Sequence, residues 1–259
     1  MVYETIELCN NAAAKKAEFL KSSISRYFLL SMLAGIYVGF GIVLIFSVAG
    51  PLKETGIGAF KALMGASFGV ALILVIFAQS ELFTGNNMIM TIGSLSKKVT
   101  WLKTFKLWGV CYLGNLAGSL LLAYVIKESG LMDSGHVHAF IAKASFAKGS
   151  APFMNLFFRG VLCNILVCLA IWTVMRTKND AAKIMLIFWC LLAFIGSGYE
   201  HSIANMTVIG IGIFVAPELV TWGHFWGNMI PVTLGNMLGG CLLGATYWYI
   251  ANQSAKEKE

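Results

Sequence analysis

Two polar clusters interrupt long apolar stretches of this 259-residue chain. One reads Gln79-Ser80-Glu81 and continues, past Leu82-Phe83, into Thr84-Gly85-Asn86-Asn87. The other reads Gly196-Ser197-Gly198-Tyr199-Glu200-His201-Ser202, with Asn205 four residues after the histidine. Thr84 offers a hydroxyl donor, and His201 an imidazole that donates or, once protonated, carries a full charge. Helices that stop at such breaks expose first-turn N–H groups, which attract anions without a formal cation. A small anion suits this set of donors. Glu81 and Glu200 oppose it if both are ionised and face the path. Either each is pinned by backbone N–H groups at its break, or one orients His201; an intramembrane proton relay is the alternative. His201 reads as a pathway group because it sits inside a polar break, against the plainer reading of a hydrogen-bonded interior histidine. Asn164 stands alone in an apolar stretch where uncompensated burial is costly. It holds His201 or Asn205 in place, or ties helices together.

The elements that must position these residues follow from composition. Hydrophobic residues make up 58% of the chain and charged ones 12%, and the mean hydropathy is +0.76. Soluble domains carry about 25% charge and roughly 45–50% apolar residues, so a water-soluble enzyme is excluded and a polytopic membrane protein is expected. The net charge of +7 and pI near 9.1 are assigned to cytoplasmic loops that retain Lys and Arg, with no nucleic-acid partner. Met1–Asn10 carries Glu4 and Glu7 and lacks a basic region leading into an apolar run, unlike a cleaved signal peptide. The six cysteines form no CxxC pair and read as packed free thiols, with no metal or cofactor expected.

Six hydrophobic blocks stand out, at about 27–50, 60–95, 105–126, 152–175, 184–214 and 225–251. An all-α protein of six transmembrane helices is expected, with a channel domain over 27–251 and a cytoplasmic tail over 252–259. The second and fifth blocks exceed one crossing but are too short for two with a turn. Both contain the polar breaks, and irregular backbone at membrane depth is tolerated only when buried in protein or lining water. Loops and ends on one side hold 13 Lys and Arg against 5 on the other, which places both termini in the cytoplasm. Leu113-Gly114-Asn115-Leu116-Ala117-Gly118 aligns with Leu234-Gly235-Asn236-Met237-Leu238-Gly239, and Glu81 and Asn86 align with Glu200 and Asn205 at a similar offset. Duplication of a three-helix unit implies two inverted repeats, and matched broken helices in such halves point to a permeation site. Residues 1–26 precede the first span, and 5–26 read as an amphipathic helix, an interfacial anchor by periodicity alone and a gate as the functional alternative. Lys16 and Lys148 fall in loops on opposite sides, where surface charge is their plain reading.

Ser80-Glu81-Leu82-Phe83-Thr84-Gly85-Asn86 and Gly198-Tyr199-Glu200-His201-Ser202-Ile203-Ala204-Asn205-Met206 resemble the formate/nitrite transporter family, as do Gly160-Val161-Leu162-Cys163-Asn164 and Lys148-Gly149-Ser150-Ala151-Pro152. The resemblance spans essentially the whole chain and is nearest to the hydrosulfide ion channel subgroup, with nitrite channels next. It implies an aquaporin-like protomer in a homopentamer, each protomer with its own pore, in a bacterial cytoplasmic (inner) membrane. The cargo implied is a small monovalent weak-acid anion: hydrosulfide first, then formate and nitrite, with chloride included. By position, Thr84 and His201 form a central pair supported by Asn164 and Asn205. Leu82 and Phe83 form a cytoplasmic constriction, and Phe68, Leu72 and Phe194 an outer one. Lys16 and Lys148 become vestibule lysines, replacing their surface-charge reading, and the N-terminal helix is implicated in gating. In this scheme the apolar slits strip water while Thr84, backbone amides and His201 compensate, and His201 can pass a proton to the anion. A proton-coupled secondary transporter of formate or nitrite shares the architecture. An intramembrane hydrolase is disfavoured because no HExxH motif occurs and the one GxSxG string, Gly65-Ala66-Ser67-Phe68-Gly69, lies within an apolar block.

Overall fold

The computed structural model describes residues 2–54, 59–133 and 135–256, and every regular element among them is an α-helix. In chain order these are α1 (Val2–Ser22), α2 (Ile24–Glu54), α3 (Phe60–Phe77), α4 (Phe83–Leu95) and α5 (Trp101–Glu128). They are followed by α6 (Gly135–Gly149), α7 (Phe153–Val174), α8 (Asp180–Gly196), α9 (Ser202–Val215) and α10 (Trp222–Lys256). Five are long and apolar enough to cross a bilayer: α2 over Ile24–Leu52, α3, α5, α7, and α10 over Trp222–Gln253. The fifth hydrophobic block instead supplies two shorter helices, α8 of 17 residues and α9 of 14. The second block divides likewise into α3 and α4, with residues 78–82 between them.

Both breaks fall where polar residues interrupt the apolar run. The regular helix is interrupted through the left-handed region, at Gln79 (φ 56°) in one and Gly198 (φ 75°) in the other. Two sequence expectations change. Residues 127–151 are not merely a loop, because α6 occupies most of them; at 15 residues, with Lys143 and Lys148 in it, it is too short and too charged to read as a span. The tail expected from residue 252 continues α10 as helix to Lys256, and 257–259 lie outside the described residues.

Helix packing explains the repeated glycines. A Cβ at Gly118 would strike the Met32 carbonyl, and one at Gly114 the Ser31 side chain, so α5 lies directly on α2. Cβ atoms at Gly235 and Gly239 would strike the carbonyls of Phe157 and Val161, which brings α10 equally close to α7. Small residues four apart permit such backbone contact where lipid offers no hydrophobic drive. Each pair brackets the asparagine that follows its first glycine, Asn115 or Asn236, and delivers that side chain to a break. α1 lies across α4, where Gly93 accommodates the Ala13 methyl.

Candidate functional site

The N-termini of α4 and α9 need capping, because the first N–H groups of any helix lack intrahelical acceptors. Leu82, the residue before α4, makes no side-chain cap; the Phe83 N–H donates instead to Asn115 Oδ1 at 2.9 Å. Asn115 Nδ2 donates to the carbonyls of Ser31 (2.7 Å) and Glu81 (2.9 Å). The second break repeats this: the Ser202 N–H donates to Asn236 Oδ1 at 2.8 Å, and Asn236 Nδ2 donates to the carbonyls of Gly160 (2.8 Å) and Glu200 (2.9 Å). The two asparagines therefore cap helices distant in sequence and hold the breaks open. Their alignment is visible in the sequence, but their capping role is not.

The glutamates are pinned by side chains, not by backbone. Lys16 Nζ sits 2.7 Å from both Glu81 carboxylate oxygens, and Tyr27 Oη (2.8 Å) and Asn86 Nδ2 (3.0 Å) donate to the same group. Glu200 accepts from Lys148 Nζ at 2.8 Å and from Asn205 Nδ2. Asn205 also donates to Asn228 Oδ1 (2.9 Å), whose Nδ2 donates to the Lys148 carbonyl (3.0 Å). Backbone N–H groups at the breaks are already committed: Glu81 N–H to Leu30 O and Glu200 N–H to Arg159 O, both at 3.3 Å. Lys16 and Lys148 consequently stand on α1 and at the end of α6 as partners of buried carboxylates, not as loop charges. Tyr27 and Asn228 had no sequence signal, since their partners lie 54 and 23 residues away.

Between the breaks, Thr84 Oγ1 and His201 Nε2 are 2.9 Å apart and both residues are buried. His201 is also the cap of α9, its Nδ1 accepting the Ala204 N–H at 3.1 Å. With Nδ1 used as acceptor, a neutral His201 carries its proton on Nε2 and donates it to Thr84. The Thr84 hydroxyl proton is then free to donate elsewhere. Neither glutamate orients the ring. Asn164 does not support His201 either: its Nδ2 bonds the Thr84 carbonyl (3.1 Å), Asn87 Oδ1 (3.2 Å) and the Asn236 carbonyl (2.6 Å). From α7 it ties α4 to α10.

Three cavities lie in series. One of about 330 Å³ is lined by Lys148, Glu200, Asn205, His201 and Phe194, among others. It adjoins a chamber of only about 10 Å³ lined by Phe68, Leu72, Leu82, Phe194 and His201 with further aliphatic side chains. Leu82 is shared in turn with a cavity of about 420 Å³ that contains Lys16, Glu81 and Asn86. The Phe68 and Phe194 rings meet edge to face at 5.7 Å, and Phe194 lies 6.0 Å from the His201 ring. Phe83 is not brought to this path among the residues lining these cavities. Its ring packs on Tyr112 at 5.0 Å, because the first residue of α4 faces α5.

Apolar helices, two broken segments whose ends meet in the interior and cavities in series through them define a membrane channel or transporter. The chain belongs to the formate/nitrite transporter family, whose model matches residues 3–250. It is 42% identical over 270 residues to the nitrite transporter NirC of Escherichia coli (strain K12), covering 100% of this chain and 97% of that protein. A solved FNT family ion channel superimposes with a TM-score of 0.90 at 40% identity, over 95% of this chain and 98% of that one. A pentameric formate channel with formate bound superimposes at 0.77 and 32% identity, over 89% of this chain and 98% of its own. The protein is thus an anion channel or transporter of this family and not an enzyme.

Proposed function

We propose that the chain conducts small monovalent weak-acid anions through the three cavities, with the Thr84–His201 pair as the central station. The observation that carries this reading is the 2.9 Å contact of Thr84 with His201, whose ring lines both the narrow chamber and the Lys148 cavity. An anion entering the chamber loses water to the Phe68, Leu72, Phe194 and Leu82 side chains. The Thr84 hydroxyl, held as an acceptor by His201, directs its own proton to the anion as replacement. Asn164 and Asn205 act one step back, fixing the Thr84 backbone and Glu200. Glu81 and Glu200 are spectators to the anion, since each is occupied by a lysine and an asparagine.

Nitrite and formate lead the candidate cargoes, supported by the names of the relatives; hydrosulfide and chloride rest on the sequence resemblance alone and complete the panel. The same reading places six crossings in two inverted halves, both termini in the cytoplasm, and a homopentamer in a bacterial inner membrane. Residues 1–26 form its cytoplasmic N-terminal segment and 27–251 its channel domain. Stopped-flow flux of nitrite, formate, hydrosulfide and chloride in proteoliposomes tests it. Nitrite and formate flux that dissipates a gradient is expected. His201→Ala and Thr84→Ala should each lower flux or alter selectivity at least tenfold, about 1.4 kcal/mol of barrier, while assembly persists. Wild-type behaviour in both variants sinks the central station. Accumulation against a gradient would instead establish a proton-coupled transporter.

A further inference from the structure

The Lys148 cavity contains a cation that the ion-pair network leaves over. Arg159, one turn above Cys163 on α7, lines this cavity together with Lys61, Lys148, Glu200 and His201. Lys148 is spent on Glu200 at 2.8 Å, and its field is largely cancelled there. Among the described lining residues Glu200 is the sole acid, and no described side chain pairs with Arg159 or Lys61. The Lys16 cavity differs: its described lining has only the Lys16–Glu81 pair as charge. Over the described lining, one mouth is therefore net positive and the other balanced. The Arg159 backbone is fixed as well, since its carbonyl accepts the Glu200 N–H, so the side chain starts from the edge of the break beside His201.

We propose that Arg159, assisted by Lys61, is the capture site of the Lys148 mouth and that its guanidinium selects planar two-oxygen anions over single-atom ones. The proposal rests on the anion-conducting reading above and adds the residue that sets capture and preference. A guanidinium presents parallel N–H donors matched to two coplanar oxygens, whereas an ammonium acts as a point charge. Nitrite and formate both offer such a pair of oxygens; chloride does not. A positive, low-dielectric mouth also raises the local anion concentration in a salt-dependent way. The Lys16 mouth lacks that surplus, so capture differs between the two faces.

The test uses the full chain in planar bilayers, oriented by a tag on one terminus, with nitrite applied to one face at a time and chloride as competitor. Arg159→Gln should raise the half-saturating nitrite concentration at the Lys148 face by about three- to tenfold and flatten its dependence on ionic strength, with little change at the opposite face. Arg159→Lys should restore the salt dependence but leave nitrite several-fold more sensitive to chloride. Lys178→Gln, the same charge change beyond the other end of α7, serves as control and should alter neither. An unchanged half-saturation in Arg159→Gln overturns the capture role, and full restoration of the nitrite preference by Arg159→Lys overturns the selection by the fork. Absence of nitrite and formate flux in the wild type overturns the conducting function itself, a result separate from either.

Discussion

Glu200 has a side chain only 6% exposed, and among the described residues Lys148 is the one cation bonded to it. Removing that cation strands a carboxylate in low dielectric. Lys148→Met should therefore destabilise the protein by about 2 kcal/mol, between the values for exposed and buried pairs. Adding Glu200→Gln should recover most of the loss, and thermal unfolding of the wild type, the two single variants and the double variant measures the coupling. Asn115→Leu and Asn236→Leu leave an orphaned N–H and unsatisfied carbonyls at a break, each costing about 1–3 kcal/mol. Both variants should lower the melting temperature, whereas Asn252→Leu, at the far end of α10, should not. At this scale the sequence exposed the isolated polar residues well, because Glu81, Glu200 and His201 stand out against apolar surroundings. It could not expose their partners. Asn115 reaches Glu81 across 34 residues, and Lys16 reaches it across 65; those pairings exist only once the helices are packed.

The N-terminal helix was legible as an amphipathic element, and its periodicity favoured an interfacial anchor. In the structure α1 is attached to the protein itself, through Lys16–Glu81, an Arg176–Thr5 bond of 3.3 Å and a Cys9–Met175 sulfur contact of 3.6 Å. Cys9 is fully buried, which pushes its thiol up to about 12. A raised value means the protonated, unreactive form prevails at neutral pH. Maleimide should accordingly label Cys9 slowly in the wild type and at least severalfold faster in Lys16→Ala, where the docking contact is lost. Mass spectrometry of the labelled peptide reads this directly, and equal rates would show that the helix stays seated without the ion pair. The broken helices were legible because their lengths fit neither one span nor two. α6 was not, because a 15-residue helix carrying lysines resembles a loop to any hydropathy window.

Across the whole molecule, the outward surface keeps large apolar side chains such as Leu102, Leu113, Tyr124, Phe158 and Trp189, each more than half exposed. Lipid or neighbouring copies cover such a surface in the membrane. The proposed homopentamer predicts a detergent-solubilised particle containing five copies of the 28.1 kDa chain, resolvable by native mass spectrometry; a monomer would remove the pentamer from the reading. The paired clamps have a further consequence, for biosynthesis. The side-chain hydrogen bonds of Asn115 to Phe83, Ser31 and Glu81 close within residues 31–115, whereas the Thr84–His201 contact waits until residue 201 has been made. A ribosome that has delivered only the first half leaves a unit whose own break is already capped but whose central station lacks the histidine. In the proposed pore, the Thr84–His201 pair is therefore completed only during synthesis of the second half, after the first break has its clamp.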